Sequence, residues 1–396
     1  MGMMADRRVA KAGLAGLLVA GTLLSAPAAA ETGRWRDEAA SRLPLPLTVG
    51  LSMDAQAADL DGDGDPDLVI AMEWAQHLLL INDGTGRFTE QAALRGPRTT
   101  HDHEETVLAD LDGSGGIDIL IVSEDDQGKE LYLNDGSGRF TDASDRIPVR
   151  GITNGARAAD LDRDGDLDLV FANAGPDALL LNDGTGRFTH AADRMPMDGD
   201  VSQDVVTADL DGDGDADLVF GNEDGDRLLL NDGSGRFAAA PLPATPGETR
   251  KIGLGDVDGD GDADLYLAKT RFRPDTPTAG DRLLLNDGKA GFTDATEGRL
   301  PGEEENAAHG DLHDLDGDGD LDILSGHVVL GRPEPKPLRA LLNDGTGRFT
   351  PAPESLWPAA LTGNAFDSLM VDLDGDGRVE LYIANRIGPD LLLVRR

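Results

Sequence analysis

The chain has no cysteine, so no disulfide can staple it. Aromatic residues make up only 4%, which counts against a sugar-binding surface of stacked rings. Basic residues are scarce, 35 against 75 acidic ones, and the formal charge is −40. That balance excludes nucleic acid or an anionic membrane as the default partner. After the first 30 residues no apolar run approaches the length of a membrane span. There is also no G-x-S-x-G elbow and no phosphate-cradling glycine loop. Carboxylate pairs could be assembled almost anywhere in so acidic a chain, so a pair alone carries no information about catalysis.

Residues 1–30 read as a secretory signal. Arg7, Arg8 and Lys11 form its basic region, Ala12 to Leu24 its apolar core, and Ala28-Ala29-Ala30 a small-residue cleavage site. The mature chain is expected to start at Glu31, to be secreted or periplasmic, and to form one domain over 31–396. It is expected to be a monomer.

What the chain has in abundance is one acidic pattern, DLDGDGDPD in its first copy, with carboxylates at positions 1, 3, 5 and 9. Loop 1 carries Asp59, Asp61, Asp63 and Asp67 there, and loop 3 carries Asp160, Asp162, Asp164 and Asp168. Loop 4 carries Asp209, Asp211, Asp213 and Asp217; loop 5 carries Asp256, Asp258, Asp260 and Asp264. Loop 6 carries Asp314, Asp316, Asp318 and Asp322. Loop 2 departs, with Asp110, Asp112 and Asp118 but Ser114 at position 5. Loop 7 has Asp372, Asp374 and Asp376, with Glu380 at position 9 and Arg378 nearby.

Clustered carboxylates repel, so such a loop is poorly stable until a cation joins it. All-oxygen ligands at this density suit Ca²⁺ better than Mg²⁺. Gly64, at position 6, supplies the positive φ that wraps the backbone. An EF-hand would need a glutamate at position 12 and flanking helices; Ile70 stands there, inside a short strand-like run. The alternative is a solvated acidic turn multiplied by duplication.

Loop starts are 51, 50, 49, 47, 58 and 58 residues apart. Each unit holds four short strand-like segments and a turn such as Asn82-Asp83-Gly84-Thr85-Gly86, which describes one propeller blade. The fold expected is all-β, a seven-bladed propeller of four-stranded blades. The turn is missing after loop 7, whereas Thr32-Gly33-Arg34-Trp35 followed by RDEAASRLP matches Ser137-Gly138-Arg139-Phe140 followed by TDASDRIP. The mature N-terminus (31–46) is therefore expected to supply the outer strand of the blade formed by 366–396, removing a free sheet edge.

Following the strands puts acidic loops and turns on one face. The length differences, at Thr270–Asp281, Ser325–Arg339 and Pro351–Phe366, fall on the other. Insertions gathered on one face of a repeat array mark a binding face, although neutral drift in exposed loops produces the same pattern.

These residues resemble FG-GAP or VCBS-type repeat proteins, relatives of the integrin α-subunit head. The resemblance covers the mature chain and implies that positions 1, 3, 5 and 9, with the position 7 carbonyl, bind calcium. Six or seven ions are expected, held more weakly at loops 2 and 7. The integrin phenylalanine-glycine pair is absent, and membership implies a scaffold more than a task.

Five residues before each loop stand Asp54, Glu105, Gly155, Asp204, Lys251, His309 and Asp367, expected around the upper mouth of the channel. They form a candidate ligand ring or a polar filling of the entrance. Two groups gather four of the seven histidines: His101 with His103 entering blade 2, and His309 with Asp311 and His313 on one strand face. Histidine with carboxylates can bind a transition metal or act as acid and base. Trp74, Phe272 and Trp357 also map to that face. The expected role is non-catalytic capture of a protein or glycan on the face opposite the loops. The alternatives are a polysaccharide-acting lyase or hydrolase and a calcium buffer.

Overall fold

A computed structural model describes residues 35–44, 50–96, 99–125, 128–196, 199–270, 280–302, 306–327, 336–357 and 362–395. The signal, the start at Glu31, Phe272 and the greater part of the Thr270–Asp281 and Ser325–Arg339 connections lie outside them.

The chain is all-β, built of sheets arranged as blades. Sheet 1 holds Ser52–Ala58, Asp67–Ala75, Leu78–Asn82 and Phe88–Glu90, each antiparallel to the next. The same four-strand order repeats in the sheets carrying loops 2 to 6. In the sheet of loop 7, Ala365–Val371, Glu380–Asn385 and Leu391–Arg395 are joined by Trp35–Asp37, whose Trp35 lies opposite Arg395. Sheets 1 and 2 are further linked by pairing of Glu73 with Asp102 and Ala75 with His101.

Past its first residue each second strand begins as an apolar run, Leu68 to Met72 in sheet 1 for example, because both its faces are covered. Leu68 and Ile70 pack toward Tyr382 and Leu392 of sheet 7, while Val69 and Leu79 meet Ile119 and Tyr132 of sheet 2. The cores thus lie between sheets.

The loop face is laced by side chains. Asn134 Nδ2 donates to Leu60 O in the preceding loop at 2.8 Å, and Asn182 reaches Leu111 O at 2.8 Å. Asn231, Asn286 and Asn343 repeat the bond to Leu161, Leu210 and Val257, and Asn82 reaches Leu373. At loop 6 the donor is Trp35, whose indole Nε1–H reaches Leu315 O at 3.0 Å.

The fourth strands do not climb straight to the next blade. They are short, and in sheets 1, 3, 5 and 7 a turn beside them sends an arginine back over the loops. Arg95 meets Asp61 at 3.0 Å, Arg42 meets Asp374 at 2.9 Å, and Arg194 meets Asp162 at 3.3 Å. The opposite charge of the loops is the physical reason for the return. Gly86 and Gly138, with φ of 69° and 70°, sit in the left-handed region that favours glycine, and the Arg42 and Arg95 guanidinium groups lie where a Cβ would project.

Candidate functional site

Every inner strand carries a register shift at the same place, for example between Ser52 and Asp54, and between His103 and Glu105. A bulge turns two consecutive residues toward the channel instead of one. The mouth is therefore lined by Met53 with Asp54, Glu104 with Glu105, Gln203 with Asp204 and Arg250 with Lys251, and also by Phe366. The period-two pattern alone yields only the second residue of each pair, and a bulge leaves no mark in it.

These residues fill the mouth. Asp54 Oδ2 accepts from Thr106 N of the next sheet, Glu105 from Ala156 N, Asp204 from Ile252 N, and Asp367 from Ala55 N. Arg250 crosses the channel to Glu104 at 2.8 Å. Lys251 lies 3.6 Å from Glu105 and 3.5 Å from Asp367, and Arg157 pairs with Glu105 and Asp204. A cavity of about 30 Å³ remains, room for roughly one water. The ring positions thus act first as ties between neighbouring sheets.

Burial, and then Glu105, push the Asp54 carboxyl up to about 6 from 3.8. The folded chain holds that proton more tightly than the unfolded one, so this group's contribution to stability falls as pH rises from about 4 through 6. Asp54→Asn is expected to be more stable than the parent at pH 8 by about 1–3 kcal/mol and equal to it at pH 4, read by thermal unfolding with saturating calcium. A variant less stable at pH 8 would show that Lys251 holds the ionised form.

The second histidine group surrounds one hydroxyl. Ser368 Oγ donates to Asp311 Oδ2 at 3.0 Å and lies 3.1 Å from His309 Nε2 and 2.8 Å from His313 Nε2. Burial drives His309 down to about 4, so it is neutral. Asp311 Oδ2 also lies 3.4 Å from His309 Nδ1, the order of groups in a nucleophilic relay, but that oxygen takes the hydroxyl hydrogen itself and His309 is wholly buried.

His101 and His103 gather with His77 and Glu130 between sheets 1 and 2. Sequence reasoning missed His77 and Glu130, because they come from different repeats. Trp74 stands beside this group, 62% exposed with φ 53°, at the shift between Glu73 and Ala75. Trp357 lies elsewhere than expected: it stacks on Trp35 at 6.4 Å, so it belongs to the loop end.

In loop 1, Asp59 accepts from Gly62 N and Gly64 N, and Asp67 accepts from Leu60 N and Asn82 N. Ligand oxygens of Asp59, Asp61 and Asp67 lie within 4.8 Å of one another, as do those of Asp160, Asp162 and Asp168. At position 3 the two oxygens divide. One oxygen of Asp61, Asp162 and Asp258 is engaged by Arg95, Arg194 and Arg299, and the other is buried without a partner among the described residues. Burial raises the carboxyls of Asp67, Asp118, Asp168 and Asp322 to about 7, a cost that a cation in the cluster reverses. In loop 7, Glu380 still reaches Leu373 N, but Arg378 occupies Asp376. In loop 2, Ser114 Oγ is turned to Asn134 O.

The model of FG-GAP-like repeats matches residues 59–121, 110–171, 160–220 and 209–267, each match beginning on the first aspartate of a loop. The chain belongs to the FG-GAP-like repeat family. Each repeat of this FG-GAP protein runs from one loop to the second strand of the next sheet.

No curated protein matches the chain. Among solved structures, BBS1N in complex with ARL6DN is similar with a TM-score of 0.53 at 11% identity, over 88% of this chain and 94% of that one. The extracellular domain of a putative hybrid two-component system from B. thetaiotaomicron gives 0.50 at 13% identity, over 87% of this chain and 40% of the other. An Agrocybe aegerita lectin that recognises non-reducing terminal N-acetylglucosamine gives 0.49 at 21% identity, over 76% and 80%. The first two likenesses show a propeller-like fold, and nothing about ligands.

Proposed function

We propose that this protein is an extracytoplasmic, calcium-stabilised ring of seven blades that presents a non-catalytic binding surface for a protein or glycan on the face opposite the acidic loops. The observation that carries this reading is the contrast between the two faces. One is regular and laced by Asn, Trp and Arg; the other carries the exposed Trp74 in a left-handed conformation. Strained, exposed residues of that kind gather at ligand contacts.

Support for calcium comes from the donor chemistry. The loops offer only oxygen, and the inner oxygens of Asp61, Asp162 and Asp258 are buried without a partner among the described residues while arginines orient the outer ones. Loops 2 and 7 bind most weakly, since Ser114 removes a carboxylate and Arg378 neutralises another. The apolar core at Ala12 to Leu24, behind its arginines, supports export, where calcium is plentiful. The pairing of Trp35 with Arg395 supports closure of the ring by the chain's N-terminal strand.

The test is a glycan array and a cell-surface pull-down with the calcium-loaded protein. Trp74→Ala is expected to weaken capture about tenfold, as loss of one aromatic anchor does, with an unchanged melting temperature. Capture that survives this change but fails on loop-face changes that leave the fold intact would overturn the assignment.

A further inference from the structure

The junction of sheets 1 and 2 breaks a pattern that the chain sets elsewhere. Between sheets 3 and 4, Asp177 just before a third strand accepts from the hydroxyl of Ser202 at 3.1 Å and pairs with Arg227. Asp390 and Ser52 repeat the bond at 2.8 Å between sheets 7 and 1. At the three places matching Asp177, Ser202 and Arg227, sheets 1 and 2 carry His77, His103 and Glu130. A closed hydrogen-bonded trio has been replaced by two imidazoles and a carboxylate.

That replacement leaves the site short of a cation. His103 Nδ1 lies 3.1 Å from Met72 O, which can only accept, so Nδ1 carries the hydrogen. His103 Nε2 then turns a lone pair toward Glu130 Oε1 at 3.3 Å. Two acceptors at that distance need a positive centre between them. His77 is 2% exposed, and its Nδ1 has no hydrogen-bond partner among the described residues.

The remaining contacts orient the donors. Glu130 Oε2 accepts from Thr99 Oγ1 at 2.7 Å and from the Tyr132 hydroxyl, which leaves Oε1 for the centre of the cluster. His101 Nε2 lies 3.8 Å from the same Oε1, and its Nδ1 is held by Asp125 at 2.9 Å. Ligand atoms of His77, His103 and Glu130 all lie within 4.8 Å of one another. Neighbouring ligands of a tetrahedral zinc ion sit about 3.3 Å apart, given bonds of about 2.0–2.1 Å.

The geometry points to a transition-metal site at the junction of sheets 1 and 2, in which His77, His103 and Glu130 hold a Zn²⁺-class ion with His101 bordering the fourth position. Imidazole ligands separate it chemically from the all-oxygen loops, so it selects zinc or cobalt where those select hard cations. The inference is independent of calcium occupancy and of the partner.

The experiment titrates tag-free protein, saturated with calcium, with Co²⁺ and then displaces the cobalt with Zn²⁺. One equivalent of cobalt is expected to give an intense tetrahedral visible band that one equivalent of Zn²⁺ removes. His77→Ala is expected to weaken binding at least tenfold. The triple change His77→Asp, His103→Ser and Glu130→Arg installs the trio found between sheets 3 and 4, and is expected to fold and lose the band. No band in the parent protein, as a proton between His103 and Glu130 would give, overturns the site. So does an undiminished band in the folded triple variant.

Discussion

Adding excess EGTA to the protein at neutral pH is expected to lower its melting temperature by tens of degrees and to erase much of its β circular dichroism. Magnesium should restore little, and calcium should restore the signal. A site filled a hundredfold above its Kd stabilises the folded state by about 2.7 kcal/mol. A domain's whole stability is commonly about 5–15 kcal/mol, so three or four such sites already match it. Without ions the loops also bring strong repulsion, because Asp59, Asp61 and Asp67 converge with two of their carboxylates partly or fully buried. Arg95 and Arg194 each engage only one carboxylate oxygen of their loops. The measurement is thermal unfolding across a calcium titration. A melting temperature that does not move would mean that the clusters are solvated turns, and the scaffold reading would fail with them. Ions that come and go while the fold persists would instead describe a buffer.

How much of this was legible in the sequence follows the distance over which each signal acts. Loop, strand and turn all lie within one repeat, so ligand spacing and apolar runs such as Leu68 to Ala71 mark them directly. The channel lining was half legible. Asp54 and Glu105 follow from counting back from a loop, but Met53 and Glu104 enter only through a bulge that no residue type announces. The histidine site was the least legible, since His77 belongs to one repeat and Glu130 to the next. Its trace was present all the same: HLLLI in sheet 1 stands where DALLL and DRLLL stand in sheets 3 and 4. The returning arginines were visible as R-L-P, R-I-P and R-M-P, at Arg42, Arg146 and Arg194, but their role depends on a bend that the strand count does not reveal.

Trp35 tests the seam between the first and last strands. In sequence it matches phenylalanines such as Phe140, yet it performs the bond that Asn82, Asn134 and Asn182 perform elsewhere, since sheet 7 has no such turn. Its ring is 2% exposed, lies under the Arg395 guanidinium at 4.9 Å and stacks on Trp357. Trp35→Ala removes all of this and is expected to cost about 3–5 kcal/mol, the range for emptying a buried aromatic site. Trp35→Phe keeps most of the ring but leaves Leu315 O without its donor, and is expected to cost about 1–3 kcal/mol. Both are read by thermal unfolding with saturating calcium, alongside Phe188→Ala, a buried phenylalanine at the matching place in sheet 3. Because Phe188 donates no side-chain hydrogen bond, the alanine change should cost more at Trp35 than at Phe188. If Trp35→Phe matches the parent, the indole N–H contributes nothing to the seam. If Trp35→Ala also matches it, the N-terminal strand does not hold the last sheet, and closure of the ring must come from elsewhere.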